Sequence, residues 1–361
     1  MSAPLRVLYV EDDPKDLERY SRLLSESSKI EIIPKPAPEH VDELSLSPKP
    51  DLIFIDYRLT QRQPSGISAK YLGGTLATYI AEQMPEVPIA IFSTRSIMNS
   101  APKYEVDIPT IDCVLYKEDV NKDPANWRDF ILEFIHDFKS LSRTKLSSRT
   151  WNSLMKLLEA SSLAEEEELQ RASPPRGRNG QDWNAHDITR WVLQVLFIYP
   201  GIFYDSLYAS ASLGIQETDF LQMEVQSLFQ NAQYKGVFSA IKKLWWRNRL
   251  HSIAFKCVRD AGLEPILSDN FATAFEKNTG KKLTPSICIF SNEPHADTIC
   301  YILKKPVKMK YTLGYLPDDR PESMETARVS FKAILEENID TKLLPLADAE
   351  RLTAIRRAYK G

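Results

Sequence analysis

Cysteine is scarce, with four in 361 residues, and Cys113, Cys257, Cys288 and Cys300 are scattered without a C-x-x-C pair. That spacing excludes a disulfide framework and a structural zinc knuckle, and it fits a reducing compartment. No long hydrophobic run is present. The most apolar stretch, 191–204, is interrupted by Pro200 and Gly201 and is too short to span a bilayer, so it reads as a buried helix and turn. The amino terminus turns acidic at Glu11 and shows no small-residue cleavage site, so no secretory leader is expected. A cytoplasmic protein without membrane contact follows as the expectation. Charge of one sign is lacking too: the net charge is −3, with an acidic front half and a mildly basic stretch from Trp183 onward. That distribution permits an anionic partner without requiring one.

The length suggests two domains, and 43% hydrophobic with 26% charged residues is ordinary for a globular chain. Short apolar runs alternate with amphipathic segments in the front part. Runs at 5–10 (LRVLYV), 30–33, 51–55 (DLIFI), 88–92 (PIAIF) and 113–116 (CVLY) read as strands. The continuous apolar run at 51–55 is that of a parallel strand buried on both faces. Helical spacing follows Pro14 through Leu17, Tyr20, Leu23 and Leu24, and recurs over 71–84 and 125–141. Five strands alternating with helices predict an α/β fold with a doubly wound five-stranded parallel sheet. A mainly helical region and a small α/β carboxy-terminal part are expected after it. The expected divisions are 1–142, a linker over 143–182 with one short helix near 151–158, and an output or interaction domain over 183–361. Within the last, 183–262 reads as helical and 263–361 as mixed. The acidic run 165–168 reads as a solvated helix face, and 173–182 (SPPRGRNGQD) as turn-rich connector.

Chemistry-bearing residues fall at the ends of these strands. Glu11, Asp12 and Asp13 follow the first, Asp56 the third, Ser93 ends the fourth and Lys117 follows the fifth. In a parallel sheet these positions share one edge. Carboxylates from adjacent strand ends suit a hard divalent cation, which takes oxygen ligands. A hydroxyl and an ammonium nearby suit a phosphoryl group, and a carboxylate such as Asp56 is a candidate nucleophile for an aspartyl phosphate.

These segments resemble the receiver domain of two-component response regulators, over residues 1–142. VLYVEDDP is similar to the first strand with its acidic pair, DLIFIDYRL to the phosphoacceptor strand, PIAIFST to the Ser/Thr strand and CVLYK to the lysine strand. The resemblance implies that Asp56 accepts phosphate from a cognate histidine kinase. It implies Mg²⁺ held by Asp12, Asp56 and the Arg58 carbonyl, with Glu11 assisting through water. Ser93 would bind a phosphoryl oxygen, and Lys117 would pair with the phosphate. Three features depart from the pattern: Glu118 stands where the family has proline, Val114 where many members carry an aromatic, and the loop 60–72 is long.

The second half resembles no family. Residues 207–230 have the outline of a helix-turn-helix with a second helix over 218–230, which makes a DNA-binding regulator one alternative. Lys242, Lys243, Arg247, Arg249, Lys256 and Arg259 stand close to Trp245 and Trp246, a mixture able to grip phosphates and stack bases. An amphipathic helix with Ile241, Leu244, Trp245 and Leu250 packed inward explains the same residues. A protein partner or self-association through this half is the leading expectation, and a phosphate-independent adaptor a further alternative. An enzymatic output is not expected: His186 beside Asp187 and His295 near Asp297 lack an accompanying phosphate loop or nucleophile elbow.

Overall fold

The computed structural model describes residues 3–25, 28–61, 63–100, 110–144, 151–172, 183–316, 326–336, 339 and 341–359. Residue 62 of the long loop and the connector 173–182 lie outside the described residues.

Five strands form one parallel sheet: β1 (Leu5–Glu11), β2 (Ile30–Pro36), β3 (Leu52–Ile55), β4 (Ile89–Ser93) and β5 (Cys113–Tyr116). Their order is β2-β1-β3-β4-β5, the doubly wound order of flavodoxin-like folds. The helices are α1 (Pro14–Ser25), α2 (Gly73–Gln83), α3 (Arg95–Ser100), α4 (Lys117–Lys122) and α5 (Pro124–Arg143). Pleating divides the side chains between two layers. Leu8, Val10, Ile53, Ile55, Ile89 and Ile91 pack with Leu76, Ala77 and Ile80 of α2. On the other face Phe92 meets Tyr9, Tyr20 and Phe54, with ring centroids 5.0–5.5 Å apart. Helix α5 starts where the sequence provides a cap and a starter: Asp123 accepts from the Asn126 amide at 3.1 Å, and Pro124 occupies the first turn. Helices α3 and α4 were not expected from the sequence; at six residues each, they are too short to show a helical period.

The chain divides into two compact units, Met1–Leu154 with Pro175–Gln194 and Met155–Pro174 with Val195–Gly361. This differs from the expected 143–182 linker and the domain start at 183. Residues 155–172 include α7 (Leu163–Arg171), which follows α6 (Trp151–Leu157). They are tied into the second unit, where the Leu157 carbonyl accepts from the Val237 amide at 2.9 Å. The acidic run 165–168 is not a plain solvated face. Glu165, 2% exposed, pairs with Arg249 at 2.6 Å, and Glu168 pairs with Arg247 at 2.6 Å. Conversely α8 (Ala185–Arg190) belongs to the first unit. There the Gln194 amide reaches the Ile111 carbonyl at 3.4 Å, and the Trp183 ring lies 5.7 Å from that of Trp151.

The second unit is mainly helical and then mixed. Its first core gathers Phe220, Val225, Phe229, Trp245, Leu250, Phe271 and Phe275. A second core joins Cys288, Val307, Leu313, Val329, Phe331 and Leu352 beside two-stranded antiparallel sheets. The expected recognition helix over 218–230 is not one helix. It is broken into Glu217–Phe220, Met223–Leu228 and a 3-10 turn at Gln230–Ala232. Phe220, Val225 and Phe229 each turn inward, and burying all three on one small core favours short turns over a straight rod. The amphipathic helix expected through Ile241, Leu244, Trp245 and Leu250 begins only at Arg247, because Trp245–Trp246 pairs as a strand with Phe203–Tyr204. In the mixed part Ile287 forms a single antiparallel bridge with Pro294. No helix among the described residues is long and apolar enough to cross a membrane.

Candidate phosphoacceptor site

Strand register brings the chemistry to one edge. Val10 lies opposite Ile55, so Glu11 and Asp56 emerge side by side, and the Asp56 amide donates to the Val10 carbonyl at 3.0 Å. Ile55 lies opposite Ile91, and Ser93 opposite Tyr116, which places Ser93 and Lys117 at the same edge. Helix α2 presses on this edge through Gly73. A Cβ there would stand 2.2 Å from the Asp56 carbonyl oxygen, so only glycine allows the approach. Gly73→Ala is expected to destabilise the fold by about 1–3 kcal/mol through this overlap. Urea unfolding checks it, and a wild-type midpoint would show that α2 does not hold the Asp56 backbone.

Lys117 is the hub. Its side chain is 5% exposed, and Nζ lies 2.6 Å from Glu11, 2.9 Å from Asp16 and 3.0 Å from Asp56 Oδ1. Burial works against its charge, but Asp56 and Glu11 more than offset this, and its pKa is raised. Glu11 is fully engaged: beyond Lys117 it accepts from the Tyr9 hydroxyl at 2.7 Å and from the Asp12 and Asp13 amides at 3.0 and 3.1 Å. Asp12 accepts from the Gln61 amide. Asp56 Oδ2 accepts from the Arg58 amide at 2.8 Å, while Oδ1 is buried with an ion pair but no hydrogen bond.

The acids outnumber the compensation. Ligand oxygens of Glu11, Asp12 and Asp56 lie within 4.8 Å of one another, and all three residues are buried. Burial lifts the Asp12 carboxyl to about 7, with Glu11 and Asp56 adding to the rise against the Gln61 amide. Asp56 is lifted to about 6, again chiefly by burial, with Lys117 opposing and Glu11 adding. Crowded, buried carboxylates fit a divalent cation, which would relieve the repulsion. Ser93 Oγ is also buried without a hydrogen-bond partner.

The structure thus brings together Glu11, Asp12, Asp56 and Lys117 by direct contact, and sets Ser93 at their edge by register. For Arg58 it shows the amide at Asp56. Sequence reading missed Asp16, although a carboxylate one helical turn after Asp12 was its signal, and it missed the Tyr9 hydroxyl and the Gln61 amide. It also missed the use of Glu118. That carboxylate accepts from the Arg95 amide at 3.1 and 3.2 Å, and the Arg95 guanidinium lies 4.0 Å from the Tyr116 ring centre.

No family model matches the sequence, and no curated protein matches it. Similar solved structures include the Mn(2+)-bound form of response regulator Rcp1, at 21% identity over 36% of this chain and 96% of that one (TM-score 0.26). A CheY-like receiver domain protein from Methanospirillum hungatei JF-1 is 17% identical over 37% of this chain and 95% of that one (TM-score 0.28). The signal receiver domain of NarL from Mycobacterium tuberculosis is 17% identical over 37% of this chain and 98% of that one (TM-score 0.28). The strand order gives the amino-terminal part a doubly wound, flavodoxin-like fold, with an acidic cluster and a lysine at the carboxyl edge of its sheet.

Proposed function

We propose that this chain is a response regulator in which Asp56 takes a phosphoryl group from a phosphohistidine of a cognate kinase. The observation that carries the reading is the buried Asp56 carboxylate, flanked by Asp12 and Glu11 and ion-paired to Lys117. An Asp56 oxygen forms the new bond to phosphorus as the phosphorus–nitrogen bond breaks, and the imidazole departs with the electron pair. Mg²⁺ would be held by Asp12, Asp56 and the Arg58 carbonyl, and would supply charge neutralisation for the transferred group. Glu11, already carrying four donors, acts as a nearby charge through water. Lys117 gives up part of its contact with Asp56 to a phosphoryl oxygen, and Ser93 Oγ gains the partner it lacks.

The second unit is read as an interaction module and not as an enzyme. DNA binding loses support from the packing. Trp245 and Trp246 are 1% and 0% exposed, so neither offers a face to a base, and Arg247 and Arg249 are paired with Glu168 and Glu165. The test is incubation of the purified chain with Mg²⁺ and a small acyl phosphate, read by intact mass. A phosphate-sized gain is expected, and it should vanish in Asp56→Ala. No gain, together with no response to beryllofluoride, would turn the reading to a phosphate-independent adaptor.

A further inference from the structure

The residue pair suggested by sequence proximity, His186 with Asp187, is not the one the fold makes. His186 Nδ1 lies 2.8 and 2.9 Å from the two oxygens of Asp112, and Nε2 lies 2.8 Å from the Pro85 carbonyl oxygen. The ring edge rests on Phe138 of α5, with centroids 4.8 Å apart. The histidine side chain is 13% exposed and the aspartate 0%. A carboxylate and a carbonyl oxygen only accept, whereas a neutral imidazole has one N–H to donate. Both contacts are made at hydrogen-bond length, so both nitrogens must carry protons. That is the imidazolium form of the ring.

Its acceptors are themselves fixed. Asp112 also accepts from the Ile89 amide at 2.8 Å, which locks it between the starts of β4 and β5. Pro85 lies just before β4, so the contact sits at the amino-terminal edge of the sheet, opposite the Asp56 edge. The surrounding charges are few. Glu86, beside Pro85, is held low mainly by its bond to Lys49 and also feels the His186 charge. Arg190 on the same helix opposes the imidazolium and is paired to Asp187 at 2.8 Å. The Cys113 thiol next to Asp112 is pushed well up by burial and stays neutral. Helix α5 contributes the uncharged Phe138 ring. Burial by itself would lower the His186 pKa, but the Asp112 carboxylate and the Pro85 carbonyl outweigh it and raise it.

We propose that His186 is a proton-dependent clasp, which holds residues 183–194 on the amino-terminal edge of the receiver sheet and loosens them as pH rises. The raised value means that the closed form keeps a proton which the open form gives up. Closure is therefore strongest below the ordinary histidine range near 6.5 and is lost as pH climbs through the folded value.

The experiment is ring ¹⁵N NMR of the full chain from pH 6 to 9, with amide exchange followed at Ile188, Thr189 and Val192. Both ring nitrogens should read as protonated at pH 7. Protection of the three amides, relative to β3 and after correction for intrinsic exchange, should fall by up to about tenfold per pH unit between the two values. In Asp112→Asn the titration should move below the ordinary range and the pH dependence should flatten. A neutral ring at pH 7, or protection that does not change with pH, overturns the clasp. The wild-type titration decides this even where the variant does not fold.

Discussion

Lys117→Ala is expected to destabilise the metal-free protein by about 3–5 kcal/mol at pH 8, the range for removing one partner from a buried charge cluster. The ammonium touches three carboxylates, and two of them, Glu11 and Asp56, are 2% and 3% exposed. Without it, Glu11 and Asp56 must stay charged in a poorly solvated place or take up protons. Alanine provides no donor for either. Mg²⁺ should restore part of the loss, because a cation among Glu11, Asp12 and Asp56 supplies replacement charge at the same strand ends. Urea unfolding with and without Mg²⁺ measures both effects. A wild-type midpoint in the metal-free variant would show that the cluster does not depend on Lys117.

The opposite sign is expected for Asp12→Asn. Asparagine keeps an acceptor for the Gln61 amide but removes one charge from the crowded acids. Metal-free stability at pH 8 should rise by about 2 kcal/mol, since a raised carboxyl is a cost paid whenever it ionises in the fold. In the wild type, Asp12 and Asp56 keep protons up to about 7 and about 6, whereas an unfolded aspartate loses its proton near 3.8. The native state thus binds more protons across that window, and metal-free stability should fall as pH rises from about 4 to about 7. Asp12→Asn should leave only the Asp56 part of this slope. Stabilisation by Mg²⁺ should grow from pH 6 to pH 8 in the wild type, as Asp12 gives up its proton, and shrink sharply in the variant. Thermal melts across pH and Mg²⁺ concentration test all of this. A Mg²⁺ shift of wild-type size in Asp12→Asn would remove Asp12 from the metal site.

Expectation and structure part company mainly where packing decides a boundary. Phe220, Val225 and Phe229 recur at near-helical spacing, and one helix or two short ones satisfy that spacing equally well. The core they share chose the broken form. Trp245 and Trp246 read naturally as part of a basic helix, yet pairing with Phe203–Tyr204 draws them into a strand and buries both rings. The composition of 143–182 suggests a linker, but Glu165 and Glu168 find arginines more than 70 residues away, which local spacing could not reveal.

The sequence by itself determined the five-stranded parallel sheet and the residues at its carboxyl edge. A parallel strand buried on both faces must be a continuous apolar run, and the first polar residues after such runs, Glu11, Asp56, Ser93 and Lys117, must emerge together. The tertiary structure decided which partners those groups and the rest of the chain would meet. Asp16 on Lys117, the Gln61 amide on Asp12, Glu118 on the Arg95 amide and His186 on Asp112 all depend on how loops and helices return to the sheet. Periodicity reports how one element is buried. Contacts between residues far apart in sequence depend on the path between them, and only packing selects it.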